Sequence, residues 1–196
     1  MEQIKKAAPI IVPSSDKKLK FVSQESIVKS QFEMKLNTSI NRFFNSANLI
    51  NLDHRHNHLF KKIFIVLVDD EPSLRVAMKR QLINHYKDLN RNIDLVLIEA
   101  TDGIECILAL YLANLQNIKI SAIISDETMK YLSGNYSAKI IHNLIVSKSF
   151  DNVPIFICTG LSGNANGIYQ DNSTVKKVFS KPLDKYSISE LMKMID

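Results

Sequence analysis

The chain has 196 residues, 45% hydrophobic and 23% charged, which gives room for one ordinary domain of about 100 to 150 residues plus an appendage. The composition is that of a soluble globular protein, and the uncharged stretch Cys106 to Ile118 falls short of the roughly 20 apolar residues a membrane span needs. The net charge of +5 is uneven: residues 1–62 carry 11 Lys and Arg against 5 Asp and Glu, a net of +6, and the remainder is net −1.

The N-terminus, MEQIKKAAPIIVPSSDKK, has no long apolar segment, so no signal peptide is expected and an intracellular, cytoplasmic location is. Its basic residues are spread without a finger or stacking-aromatic pattern, which reads as a solvated extension or linker over residues 1–60 and gives no expectation of nucleic-acid binding. His54, His56 and His58 would share one face of a strand, yet a metal site there also needs a fourth ligand and an ordered scaffold. Cys106 and Cys158 both sit in apolar patterns, as reduced buried thiols do.

From Lys61 onward short apolar runs alternate with helical periodicity, the pattern of a β-α repeated sheet. The run Ile63 to Val68 reads as a strand buried on both faces and ends in two adjacent acids, Asp69 and Asp70. Glu71 and Pro72 then suit a first helical turn, with Leu74, Met78 and Leu82 at four-residue spacing. Leu95 to Ile98 is a second strand, followed by a turn at Thr101, Asp102 and Gly103. The next helix places Ile104, Ile107, Leu108, Tyr111 and Leu115 on one face.

Ile118 to Ser125 is the third strand. A loop around Gly134 leads to a helix with Ile141, Leu144 and Ile145 inward, and Val153 to Cys158 is the fourth strand. A polar segment from Gly160 to Asn172 precedes the fifth strand, Val175 to Phe179. The last helix carries Ile188, Leu191, Met192 and Ile195 on one face.

Right-handed crossovers bring the carboxyl ends of such strands to one edge, where ligands bind. Asp69 and Asp70, then Asp126, Thr159 and Lys181 follow the first, third, fourth and fifth strands. Three carboxylates form a hard oxygen site suited to Mg²⁺ rather than Zn²⁺. With Lys181 to meet equatorial oxygens and Thr159 to donate a hydrogen bond, the set fits phosphoryl transfer, with Asp126 the candidate nucleophile of an aspartyl phosphate.

The strings VLVDDEPSLR, EATDGIE, SDETMKYLSG, ICTG and FSKPL stand here in the order found in receiver domains of response regulators. Residues 61–196 resemble that CheY-like family, with Met129 three residues and Gly134 eight residues after Asp126, and 22 positions between Thr159 and Lys181. The resemblance implies a doubly wound, flavodoxin-like α/β fold with five parallel strands in the order 2-1-3-4-5. It implies Asp126 as phosphoacceptor, Asp70 and Asp126 as direct Mg²⁺ ligands, Asp69 as an acidic support, and Thr128 contributing its backbone carbonyl. It further implies two-component phosphorelay signalling, with a histidine kinase or histidine phosphotransfer protein as partner. Such a domain assists its own phosphorylation and dephosphorylation; no kinase core is present, so the chain is not expected to be an enzyme in its own right. With the fifth helix ending the chain, output is expected through protein binding or onward transfer.

Three positions depart from the family pattern: Lys130 where proline is usual, Glu127 directly after the acceptor, and Val178 where an aromatic switch residue often stands, with Phe179 one place later. They motivate the alternative of a phosphorylation-independent pseudo-receiver that serves as an interaction module. Residues 19–36, with Phe32, Met34 and Leu36 alternating, resemble the terminal hairpin of a histidine-kinase ATP-binding domain. The extension therefore reads either as the remnant of a hybrid kinase, with residues 37–60 its linker, or as an unrelated basic segment.

Overall fold

The computed structural model describes residues 10–12, 20–22, 33–45, 61–88, 93–160, 169 and 171–195, and the chain divides into two compact units, Met1–Thr38 and Ser39–Asp196. In the first unit, β1 (Ile10–Val12) and β2 (Lys20–Val22) pair antiparallel, with Ile11 opposite Phe21. Helix α1 covers residues 33–45. The alternation of Phe32, Met34 and Leu36 reads as a strand, but from residue 33 the backbone is helical. The cause lies just downstream: Leu36, Ile40 and Phe43 recur at spacings of four and three, which a helix places on one face and a strand does not. His54, His56 and His58 lie outside the described residues, as does most of the segment between Gly160 and Asn172.

The second unit is built on a parallel sheet of β3 (Lys61–Val68), β4 (Ile93–Ala100), β5 (Ala122–Asp126), β6 (Ile155–Thr159) and β7 (Val175–Ser180), in the spatial order β4-β3-β5-β6-β7. Within this sheet that is 2-1-3-4-5, the expected order. The alternating side chains of β3 explain why the sheet needs cover on both sides. Val66 and Val68 face the cluster that includes Cys106, Ala109, Ile123, Ile141 and Ile157. Ile63, Ile65 and Leu67 face a second cluster with Leu82, Phe156, Cys158, Phe179 and Leu191. Helices α3 (Gly103–Leu115) and α4 (Gly134–Val146) cover the first face, and α2 (Pro72–Asp88) and α5 (Lys185–Ile195) the second. The two cysteines are free and buried on opposite faces, where burial pushes each thiol up to about 12.

Helix α3 packs on a face that only partly matches the one its aliphatic spacing suggests, with Ile107 and Leu108 half-buried against the first cluster. Cys106, Ala109, Leu110 and Ala113 are buried, whereas Ile104, Tyr111 and Leu115 are exposed. Both faces of this helix are apolar, so periodicity cannot choose between them, and the smaller side chains win because they let the helix lie close to the sheet. Its start is fixed by Asp102, whose carboxylate accepts from the backbone N–H groups of Ile104 at 2.9 Å and Glu105 at 3.0 Å.

The C-terminal part of α1 belongs to this same core. Phe43 is 2% exposed within the first cluster, with Ile40 and Phe44 packed against it. Beside it the buried Glu105 carboxylate accepts from Arg42 Nη1 at 2.7 Å and from Thr101 N at 2.8 Å. Burial raises the carboxyl pKa of Glu105, but hydrogen bonds from Thr101 and Ser39 and the charge of Arg42 outweigh it, so the net direction is downward. Phe43→Ala is expected to destabilise the protein by about 3 kcal/mol in urea unfolding, through lost burial and the cavity left behind. A change under about 0.5 kcal/mol, the range of a surface substitution, would mean that α1 is not part of the core.

Candidate functional site

Asp69 and Asp70 follow β3, Asp126 ends β5, Thr159 ends β6, and Lys181 follows β7, so the parallel sheet delivers all five to one edge. The Lys181 ammonium bridges two of the acids, donating to Asp69 Oδ2 at 2.7 Å and standing 2.9 Å from Asp126 Oδ1. Its backbone is fixed as well, since Lys181 N donates to the carbonyl of Thr159 at 2.7 Å. Burial alone would favour the neutral amine; the paired carboxylates reverse this and raise its pKa, so it stays cationic. Thr159 is buried, Asp70 is exposed, and Thr128 lies exposed in the loop after β5.

One carboxylate oxygen from each of Asp69, Asp70 and Asp126 lies within 4.8 Å of the other two. Lys181 offsets one of these three negative charges and leaves two, which suits a divalent cation. The donors are all hard oxygens, as Mg²⁺ prefers, and among the described residues no His or Cys joins the cluster. The residues present therefore fit the expected metal.

Asp126 has its carboxyl pKa raised, first by burial and then by the neighbouring charge of Asp69, with Lys181 and the backbone N–H of Glu127 opposing. That N–H donates to Asp126 Oδ1 at 2.8 Å. Glu127 is itself raised, by burial and by Asp126. Beneath Asp126 the start of α4 approaches so closely that a Cβ on Gly134 would stand 2.4 Å from the Asp126 carbonyl oxygen. Only glycine fits there, eight residues after Asp126.

One residue that supports the site carries no functional assignment from the sequence. Arg75 is buried and its Nη1 donates to the Asp69 carbonyl at 2.6 Å, while Nε reaches Glu99 at 3.4 Å and Lys79 binds the same carboxylate at 3.1 Å. The inward stripe of α2 is therefore Arg75, Met78, Leu82 and Tyr86, and Leu74 is 39% exposed. The four-residue spacing from Leu74 hides an arginine whose stem packs inward while its head finds backbone and carboxylate partners. Phe179 packs beside Phe156 in the cluster facing α2 and α5. Val178 points to the other side of the sheet, so Phe179 cannot take over the missing aromatic position.

Similar architecture occurs in solved structures. The chain matches chemotaxis protein CheY4 of Vibrio cholerae with a TM-score of 0.51 at 20% identity, over 69% of this chain and 100% of that one. It matches a response regulator receiver domain protein from Clostridium thermocellum with a TM-score of 0.52 at 19% identity, over 68% and 93%. A LuxR-family two-component response regulator from Aurantimonas sp. SI85-9A1 gives 0.51 at 21%, over 69% and 85%. The fold is that of response-regulator receiver domains. No protein-family model matches the sequence, and no curated protein does.

Because the folded-state pKa of Asp126 lies above its ordinary value, ionising it costs stability at neutral pH, and the cost vanishes as pH falls below the ordinary carboxylate range. In metal-free buffer Asp126→Asn is expected to raise the urea midpoint at pH 7, with the gain gone by about pH 3. A lower midpoint at pH 7 would show that the carboxylate is net stabilising without metal.

Proposed function

We propose that the protein is a phosphorelay receiver that takes a phosphoryl group onto Asp126 from the phosphohistidine of a histidine kinase or phosphotransfer protein. In this reading an Asp126 carboxylate oxygen attacks phosphorus, the P–O bond forms, and the P–N bond breaks with its electron pair returning to the imidazole. Asp69, Asp70 and Asp126, with the backbone carbonyl of Thr128, would hold Mg²⁺, which supplies the charge neutralisation that lets two anions meet. Lys181, already bridging Asp69 and Asp126, is within reach of the phosphoryl oxygens as negative charge develops on them. Thr159 donates its hydroxyl hydrogen to a second oxygen. The observation that carries the proposal is the Lys181 bridge: one ammonium shared by two of three clustered acids, with its backbone tied to Thr159.

Incubation of the full chain with acetyl phosphate and Mg²⁺, read by intact mass, is expected to give a single phosphoryl adduct in wild type and none in Asp126→Asn. Lys181→Met is expected to slow its formation by about 100-fold, the scale of losing one charge-stabilising donor. Absence of an adduct in wild type would instead favour the phosphorylation-independent interaction module. An adduct that persists in Asp126→Asn would move the acceptor elsewhere.

A further inference from the structure

Helix α3 has 13 residues and one charge among them, Glu105. That carboxylate is buried and bound to Arg42 Nη1 at 2.7 Å, so the outer side of the helix carries no charge of its own. What it carries is apolar: Ile104, Tyr111 and Leu115 are 46%, 52% and 57% exposed, and Leu108 is half-buried among them. At about 100° per residue these four fall on one line along the helix, on the side away from Cys106, Ala109 and Ala113, which pack inward.

Exposed apolar side chains scattered singly are ordinary on a protein surface. A line of four on a helix is not, because a surface helix meets water through polar and charged side chains, and one that is apolar all round is found buried. The sheet covers only one of the two apolar faces of α3. The spacing along the outer line, four, three and four residues, is the alternation with which paired helices interlock.

Two properties of the line select what covers it. Its spacing reads the same in both directions, so a copy laid antiparallel sets Ile104 against Leu115 and Leu108 against Tyr111, apolar on apolar throughout. With no charge on either side, the surface does not repel itself, and it offers a charged partner nothing of opposite sign. This is what a two-fold interface requires, since the same patch must serve both subunits.

We infer that a second copy of this chain covers the outer face of α3, in a two-fold dimer with the two α3 helices antiparallel. Four side chains span less than the roughly 800 Å² per partner of a standard interface, so the dimer is reversible and dissociates on dilution. The inference uses none of the groups at the acid edge and stands whether or not Asp126 is a phosphoacceptor.

Sedimentation velocity of the full chain from about 1 to about 200 µM is expected to show a monomer that converts to dimer as concentration rises, as an interface below standard size does. Ile104→Glu and Leu115→Lys, both at exposed positions, each set a charge against an apolar side chain of the copy and are expected to weaken association at least about tenfold. An equimolar mixture of the two variants is expected to restore the dimer, because the antiparallel register sets the new acid against the new amine at one end and keeps Leu115 against Ile104 at the other. A wild-type monomer throughout the range, a dimer that both substitutions leave intact, or two monomeric variants that do not recover on mixing would each overturn the inference.

Discussion

Three carboxylates on one sheet edge repel one another, and a single ammonium holds two of them in place. Asp69 and Asp126 end adjacent strands, while Lys181 comes from the far side of β6, so the ion pairs form only when β3, β5, β6 and β7 are all in register. The ammonium leaves two negative charges uncompensated, a balance that suits a divalent cation. Remove the parallel order and the acids scatter; remove the lysine and the edge opposes its own folding.

The supports beneath the site work on backbone rather than side chains. Arg75 fixes the Asp69 carbonyl from below, and Asp69 N donates to the carbonyl of Ala100 at 3.2 Å, tying β3 to the end of β4. On the other side Gly134 lets α4 lie against the Asp126 carbonyl, and Glu127 bonds both neighbours. Apart from the Glu127 N–H bond to Asp126 Oδ1, these contacts hold backbone and leave the carboxylates free. The buried Glu105 ties the same region to α1: it binds Thr101, the first residue after β4, and Arg42 in α1.

The strands and the site were legible in the sequence for one reason. A doubly covered parallel sheet demands long apolar runs, and polar groups that break those runs at the carboxyl end stand out against them. Asp69, Asp70, Asp126, Thr159 and Lys181 could be read that way without knowing any contact. The face of α3 could not, because Ile104, Tyr111 and Leu115 are as apolar as the Cys106, Ala109, Leu110 face that packs; only the sheet it meets decides. Arg75 was hidden by the Leu74 spacing, and its role needs a carbonyl placed by another strand. The alternation of Phe32, Met34 and Leu36 reads as a strand, and only the downstream spacing of Leu36, Ile40 and Phe43 marks the helix that begins at residue 33. At α3 and at Arg75 local pattern yields to tertiary packing.

The residual charge on the edge can be tested without any phosphoryl donor. Isothermal titration of Mg²⁺ into the full chain is expected to show one ion bound per chain, with binding abolished or weakened at least about tenfold in Asp70→Asn, which removes an exposed carboxylate and leaves the Lys181 bridge intact. Wild type without Mg²⁺ affinity, or Asp70→Asn with unchanged affinity, would contradict the claim that this cluster of acids is a metal site.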